Sequence, residues 1–437
     1  LQLVALGAQS GGMASKGMDQ VERLRANARA AAARKDREQA VTLWRQLLEI
    51  ADDPEALNAV GNWHLAHDRP SEARDLLGRA AAADPGQPAL HFNLAAACRA
   101  AGDPQAALAA LDSALAIDPY FVQAIFQKGV LLEEVGQPRD AAHVYQDFLD
   151  TAPPEILNSP QFAGPINRAR EVVRLDKEAL GQVIAARAHA PSDRTREAMA
   201  ALLGEQRIHV AEPTFLTVPR LPAIPFFDRA LTPWIEALEA ATPDILAEAR
   251  QVIADDAASA GFVPYVDNPP GVPANQWAAL DHSPQWSAFF FWKHGERNEA
   301  NSARCPVTAN LLASMPMVSL AGRGPNAFYS LLTPRTRIPP HTGVTNARST
   351  VHLPLIVPPG CGFRVGNETR ECVPGKAWVF DDTIEHEAWN DSDQPRLILI
   401  FDVWNPYLSD EEQSFFRDML AAYDTHYGRA RGMSDTL

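Results

Sequence analysis

The chain has 437 residues, 46% of them hydrophobic, and a formal net charge of −15. That length allows two domains with sizeable cores, and the acidic balance excludes general nucleic-acid binding, which needs a basic surface. No apolar run reaches the roughly 18 residues a membrane-spanning helix requires, so none is expected.

Residues 1–17 are small and polar beyond Leu1-Gln2-Leu3-Val4-Ala5-Leu6 and carry no basic leader. A disordered tail or a processing scar is expected there rather than a signal peptide. An internal repeat then dominates. Pro85, Pro119 and Pro153 are spaced by 34, as are Pro70, Pro104 and Pro138, Gly61, Ala95 and Gly129, and Ala73, Ala107 and Ala141. The prolines mark turns and the small residues allow helices to approach closely. One such unit cannot bury its own apolar face, so the units must stack. The period and these residues resemble tetratricopeptide repeats, with a degenerate copy between Arg37 and Pro54. An α-helical array is therefore expected over 18–154. Its concave surface would suit an extended peptide or protein partner. Trp63, His64, Phe92 and Phe126 are candidates for that groove, and the competing reading is that apolar residues at helical spacing are core.

Residues 155–212 carry amphipathic patterns around Arg168–Leu175 and Thr195–Leu203, which predict a helical linker. Pro213, Pro219, Pro222 and Pro225 mark the start of a second domain, 213–437, since proline interrupts helix. A helix from about Pro233 to Asp256 would open it.

Further on the periodicity changes. Ser349–Val357, Lys376–Phe380 and Arg396–Trp404 are rich in β-branched and apolar residues and are punctuated by Pro358-Pro359-Gly360 and Gly366-Asn367. Strands at this spacing predict a sandwich or a double-sheet barrel. Two histidines flank them. His341 opens His341-Thr342-Gly343, and His386 follows 45 residues later. In the usual facial triad for ferrous iron, a His-x-carboxylate pair joins a distant histidine. Glycine at 343 leaves a two-histidine centre with an open coordination sphere. In a strand, Arg396 shares a face with Ile398 and Ile400. A guanidinium there needs an anion, which is either a ligand carboxylate gripped by its planar fork or a partner such as Asp402 or Glu387.

The segments His341–Arg348, His352–Leu355, Gly366–Thr369, Phe380–Trp389 and Arg396–Trp404, with Trp292–Glu299 and Tyr329-Ser330 upstream, resemble the aspartyl/asparaginyl β-hydroxylase family of 2-oxoglutarate oxygenases. The resemblance spans about residues 213–410. It implies a double-stranded β-helix (jelly-roll or cupin-like) fold and an enzyme that uses Fe(II), 2-oxoglutarate and dioxygen. It further implies His341 and His386 as iron ligands, with Arg396 and Ser330 on the distal carboxylate of 2-oxoglutarate. His352 would lie near the metal-binding end of that co-substrate. Arg348 and Trp286 would line the substrate pocket. Thr350 stands where some members carry an arginine tied to substrate recognition, which puts aspartyl specificity in question. The activity implied is β-hydroxylation of Asp or Asn in a peptide or protein held between array and oxygenase. The alternatives are the same iron chemistry on a free or carrier-bound amino acid or a lipid acyl chain, halogenation at the open coordination position, and a non-catalytic repeat scaffold.

Asp381, Asp382, Glu385 and Glu387 read as a polar turn with contacts around the metal site rather than as a general base. Arg323, Arg335, Arg337 and Arg348 form a basic run that either draws an acidic ligand or is solvated. The four cysteines, Cys98, Cys305, Cys361 and Cys372, match no zinc motif, and reduced thiols in a cytoplasmic protein are expected.

Overall fold

The computed structural model describes residues 7–190, 192–254, 261–320 and 322–427. It divides into two compact units, Leu1–Gly204 and Glu205–Leu437.

The first unit is all helix: α1 (Gly7–Ala33), α2 (Arg37–Leu48), α3 (Pro54–Ala66), α4 (Pro70–Ala83), α5 (Pro88–Ala100), α6 (Pro104–Ile117), α7 (Val122–Glu134), α8 (Pro138–Thr151), α9 (Pro154–Leu157), α10 (Ala163–Arg187) and α11 (Asp193–Leu202). The repeat explains the boundaries. Pro54, Pro70, Pro88, Pro104 and Pro138 each open a helix, where the missing N–H costs nothing. Asp53 and Asp103 cap the first turns of α3 and α6 through their carboxylates. The small residue of each repeat sits under a large one of the next helix. A Cβ on Gly61 would lie 2.7 Å from Leu77, and one on Gly129 would lie 2.5 Å from Tyr145. No helix is long and apolar enough to cross a membrane among the described residues.

Two features differ from the sequence reading. Of the expected tail, 1–6 lie outside the described residues, and from Gly7 the chain is already in α1. Further along α1, Ala28 and Ala31 are buried with Trp44 and Leu47 of α2, and that packing holds the helix on the array. The expected linker is also part of the array, because Ala169, Val172 and Val173 of α10 cluster with Ala141, Ala142 and Tyr145 of α8. Of the four groove candidates, Phe92 lines a groove with Leu65, Arg99, Gln127 and Leu131. Phe126 instead packs on Tyr145 and Phe148. Trp63 stacks on His67 at 3.9 Å with Arg45 over its ring, and His64 meets it edge-on.

The second unit begins before the proline-marked boundary. Arg207 O accepts from Asn367, Ala211 bridges Ile384, and Glu212 N donates to Thr383 O at 2.7 Å. Helices α12 (Ile235–Ala240) and α13 (Thr242–Ala254) follow. Then come β1 (Val263–Pro264), β2 (Trp286–Lys293), β3 (Glu296–Arg297), α14 (Glu299–Arg304), α15 (Pro306–Ser314), β4 (Ala327–Leu332), β5 (Thr336–His341), β6 (Arg348–Ile356), β7 (Cys361–Val365), β8 (Glu368–Arg370), β9 (Trp378–Phe380), β10 (His386–Asn390), β11 (Arg396–Trp404) and α16 (Asp410–Tyr427).

Two antiparallel sheets result, one ordered β1-β2-β4-β11-β6-β9 with β3 on β2, the other β5-β10-β7-β8. The larger sheet is covered on both faces, which is why its strands are nearly continuous apolar runs. Its outer face (Phe289, Tyr329, Leu353, Leu399, Phe401) packs on Ile245, Ala249 and Leu312 of α13 and α15. Its inner face (Phe328, Ile398, Ile400) meets Ile338, Phe363, Val365 and Ala388 of the smaller sheet. The site lies between the two inner faces.

Candidate active site

Strand alternation sends a single set of polar residues into this interior. On β11, Arg396 points the same way as Ile398 and Ile400, and on β4 Ser330 does so with Phe328 and Leu332. On β6, Arg348, Thr350 and His352 alternate inward. From the smaller sheet, His341 ends β5 and His386 begins β10, directly opposite one another in register. All seven line one cavity with Trp286, Tyr265, Asn326, Gly343, Asp382 and Asp402.

The two imidazoles are 4.0 Å apart, centroid to centroid. Each points Nδ1 at a nearby carbonyl, His341 at Pro339 O (2.8 Å) and His386 at Ile384 O (3.0 Å). A carbonyl only accepts, so Nδ1 carries the proton and Nε2 keeps its lone pair. Burial disfavours the charged rings, taking His341 to about 4 and His386 well below the ordinary range. Both are thus neutral, as a metal ligand must be. Among the described residues, no group of three or more His, Cys, Asp or Glu is arranged to hold a metal ion.

Gly343 has a specific neighbour. Its N–H donates to Asp382 O, and its own carbonyl accepts from Thr214 N. A Cβ at 343 would lie 2.5 Å from the Asp382 carboxylate. That carboxylate therefore occupies the volume a side chain at 343 would need. Burial raises Asp382 to about 7 against the pull of nearby Arg348. The other acids of the turn stay out of the cavity. Asp381 Oδ1 accepts from Thr383 N and Oγ1, and Glu385 and Glu387 both pair with Arg364.

Arg396 is 1% exposed, and its Nε and Nη1 have no hydrogen-bond partner. The two intramolecular partners that alternation allowed are engaged elsewhere, Asp402 by Arg348 (2.9 Å) and Glu387 by Arg364 (2.6 Å). Ser330 is fully buried and accepts from Trp286 Nε1 at 3.1 Å. His352 is buried with Nδ1 unpartnered, and burial together with Arg396 keeps it neutral. The basic run does not act as one patch. Arg335 and Arg337 pair with Asp393 and Asp391, Arg323 pairs with Asp424, and of the four only Arg348 lines this cavity.

The sequence profile of the aspartyl/asparaginyl beta-hydroxylase family matches residues 240–406, and a tetratricopeptide-repeat profile matches 64–119. A Rhizobium tropici protein named ornithine lipid ester-linked acyl 2-hydroxylase is 30% identical over 202 residues, 46% of this chain and 67% of that protein. The chain belongs to the aspartyl/asparaginyl β-hydroxylase family. The human protein of that name is 43% identical over 129 residues, 29% of this chain but 17% of its own length. The human aspartate beta-hydroxylase domain-containing protein 1 is 32% identical over 216 residues, 48% of this chain and 51% of that protein. The chain thus spans only a small part of the first and about half of the second.

Every residue singled out in the sequence for this family's chemistry, His341, His386, His352, Arg396, Ser330, Arg348 and Trp286, lines the one cavity. Sequence reasoning named Asp402 only as a possible partner of Arg396 and missed Asn326 and Tyr265 there. Asp402 was accessible to it, because alternation from Arg396 puts 398, 400 and 402 on the same face. Asn326 and Tyr265 precede or lie outside regular strands, where no periodicity points inward.

Proposed function

We propose that this protein is an Fe(II)- and 2-oxoglutarate-dependent hydroxylase. His341 and His386 hold the iron, Arg396 with Ser330 anchors the distal carboxylate of 2-oxoglutarate, and His352 lies toward the other end of the co-substrate. One observation carries this reading: two neutral imidazoles, each with Nδ1 tied to a carbonyl, share one cavity with a buried guanidinium whose Nε and Nη1 have no partner. The donor set suits the group, since imidazole binds ferrous iron and two side chains leave positions open for a bidentate keto acid and dioxygen. When bound, iron, 2-oxoglutarate and dioxygen supply the oxidising chemistry that converts a C–H bond to C–OH.

The chain's own residues orient and exclude. The Pro339 and Ile384 carbonyls fix the imidazole tautomers. The fork of Arg396, itself buried, matches a carboxylate. Phe363 and Phe380 pack around His352 and His386 and keep the interior apolar. Asp382 keeps Oδ1 buried and without a hydrogen-bond partner at the cavity wall.

The first reading of the substrate is an Asp or Asn side chain of a peptide or protein, with the repeat groove as the protein-binding surface. An acyl chain is the second, favoured by the match to the acyl 2-hydroxylase over two thirds of that protein. A cytoplasmic setting with reduced thiols is part of this reading, in keeping with the few cysteines.

Anaerobic addition of Fe(II) and 2-oxoglutarate tests the assignment. A weak visible charge-transfer band is expected, and His386→Ala should remove it. A band of full strength in that variant would overturn the ligand set.

A further inference from the structure

Two arginines line the cavity among the described residues, and they differ in one respect. Arg396 has no carboxylate partner. Arg348 has two: Nη1 lies 2.9 Å from Asp402 Oδ2 and Nη2 lies 3.6 Å from Asp382 Oδ2. Asn326 reinforces the closure, donating to Asp402 Oδ2 from its backbone N (3.0 Å) and from Nδ2 (3.2 Å). All three charged side chains are more than nine-tenths buried. The charge of Arg348 is therefore spent inside the protein. Pulling it toward a substrate carboxylate would leave Asp402 buried without its counter-charge, which is strongly unfavourable. The incoming anion would also meet the Asp402 carboxylate at close range.

What remains at this end is hydrogen-bonding capacity without net positive charge. Arg348 Nε is a buried donor with no partner, and Asp382 Oδ1 is a buried oxygen with no partner. A carboxylate offers only acceptors. A carboxamide offers one acceptor and an NH2 donor, and so can satisfy both. An alkyl chain satisfies neither.

We infer that the substrate group brought up to His341 and His386 is a primary carboxamide rather than a carboxylate, and that Asp402 sets this preference by sealing Arg348. The inference rests on the iron and 2-oxoglutarate reading above. It selects asparaginyl over aspartyl side chains. Thr350, which puts no charge beside Arg348, is consistent with it.

The test uses the full chain, anaerobic, with Fe(II) and saturating 2-oxoglutarate, and follows the charge-transfer band while acetamide or acetate is added. Absence of any band would count against the iron reading itself and is read before either probe is added. With the band present, acetamide should perturb it saturably, with a midpoint at least about tenfold below that of acetate, because buried hydrogen-bonding groups discriminate strongly against a mismatched ligand. Asp402→Asn removes the nearer of the two carboxylates from Arg348 and should reverse that order. An acetate midpoint equal to or below that of acetamide in the wild type overturns the inference, as does a band that neither probe perturbs. A folded Asp402→Asn protein with the wild-type order removes the role of Asp402. If that variant does not fold, the wild-type comparison still decides the substrate class.

Discussion

In the repeat array, charged side chains sit in exposed pairs such as Arg79 with Asp52, Arg99 with Glu134 and Arg174 with Glu171. The β unit instead buries Arg348, Arg396, Asp382 and Asp402 in one interior. The surface pairs contribute about 0–1 kcal/mol each, so the array is held by shape: a small residue under a large one, repeated. The β unit accepts the cost of desolvating charges, and leaves some of their atoms unpartnered, at a single place. Buried polarity that folding does not satisfy is where a ligand is expected.

This contrast can be broken most severely at the histidines. His341→Ala and His386→Ala should each lower metal affinity by more than the roughly 10–100-fold typical of outer-shell changes, with helical content intact by circular dichroism. An unchanged affinity would remove the site from the β unit. Next is Arg396→Met. Loss of a buried charged partner costs about 2–5 kcal/mol, so the apparent 2-oxoglutarate requirement should rise by at least about 30-fold. Without ligand, the same variant should melt no lower than wild type, since an apolar side chain replaces an unpaired buried charge. A large drop in the melting temperature would reveal a structural role for the guanidinium.

A matched pair of glycine substitutions sharpens the comparison. Gly129→Ala drives a methyl into Tyr145 and should cost about 1–3 kcal/mol of array stability while leaving metal affinity unchanged. Gly343→Ala drives a methyl into Asp382 and should alter metal affinity without changing the array. Metal titration and chemical denaturation of both variants separate the outcomes.

The smallest effect concerns pH. Burial takes the native His341 ring down to about 4 and holds His386 well below the ordinary range. The unfolded rings take protons near their ordinary pKa of about 6.5. The stability these neutral rings represent is therefore complete above that value and is lost as pH falls from there toward 4. Over the same window the native ligands stay unprotonated, so Co(II) affinity at pH 5.5 should lie within about threefold of that at pH 7.5. A fall centred near 6.5 would mean that the rings are solvated.

Much of this was legible in the residues. The period of 34 located the array because proline and small residues carry the same steric meaning in each copy. Ser349–Val357 and Arg396–Trp404 were readable as strands because both faces of that sheet are buried. Alternation put Arg396 on one face with Ile398 and Ile400, and the family resemblance supplied Ser330, His352 and Arg348. Other features depend on contacts between segments far apart in sequence, which no local pattern encodes. Nothing around Arg348 announces that Asp402 engages it across the β6–β11 ladder. Gly343 read as an empty ligand position, whereas its neighbour Asp382, 39 residues on, fills the space. The packing of α10 on the array was hidden for the same reason, since its partners lie in α8.

The run from Arg207 to Thr214 has a practical consequence. Through Ala211, Glu212 and Thr214 it fastens both the loop that follows His341 and the turn that precedes His386. Anyone expressing the catalytic half by itself should cut the gene no later than the codon for Glu205. A start at Pro213 would discard the stitches at Arg207, Ala211 and Glu212 and leave the turn before His386 to fray.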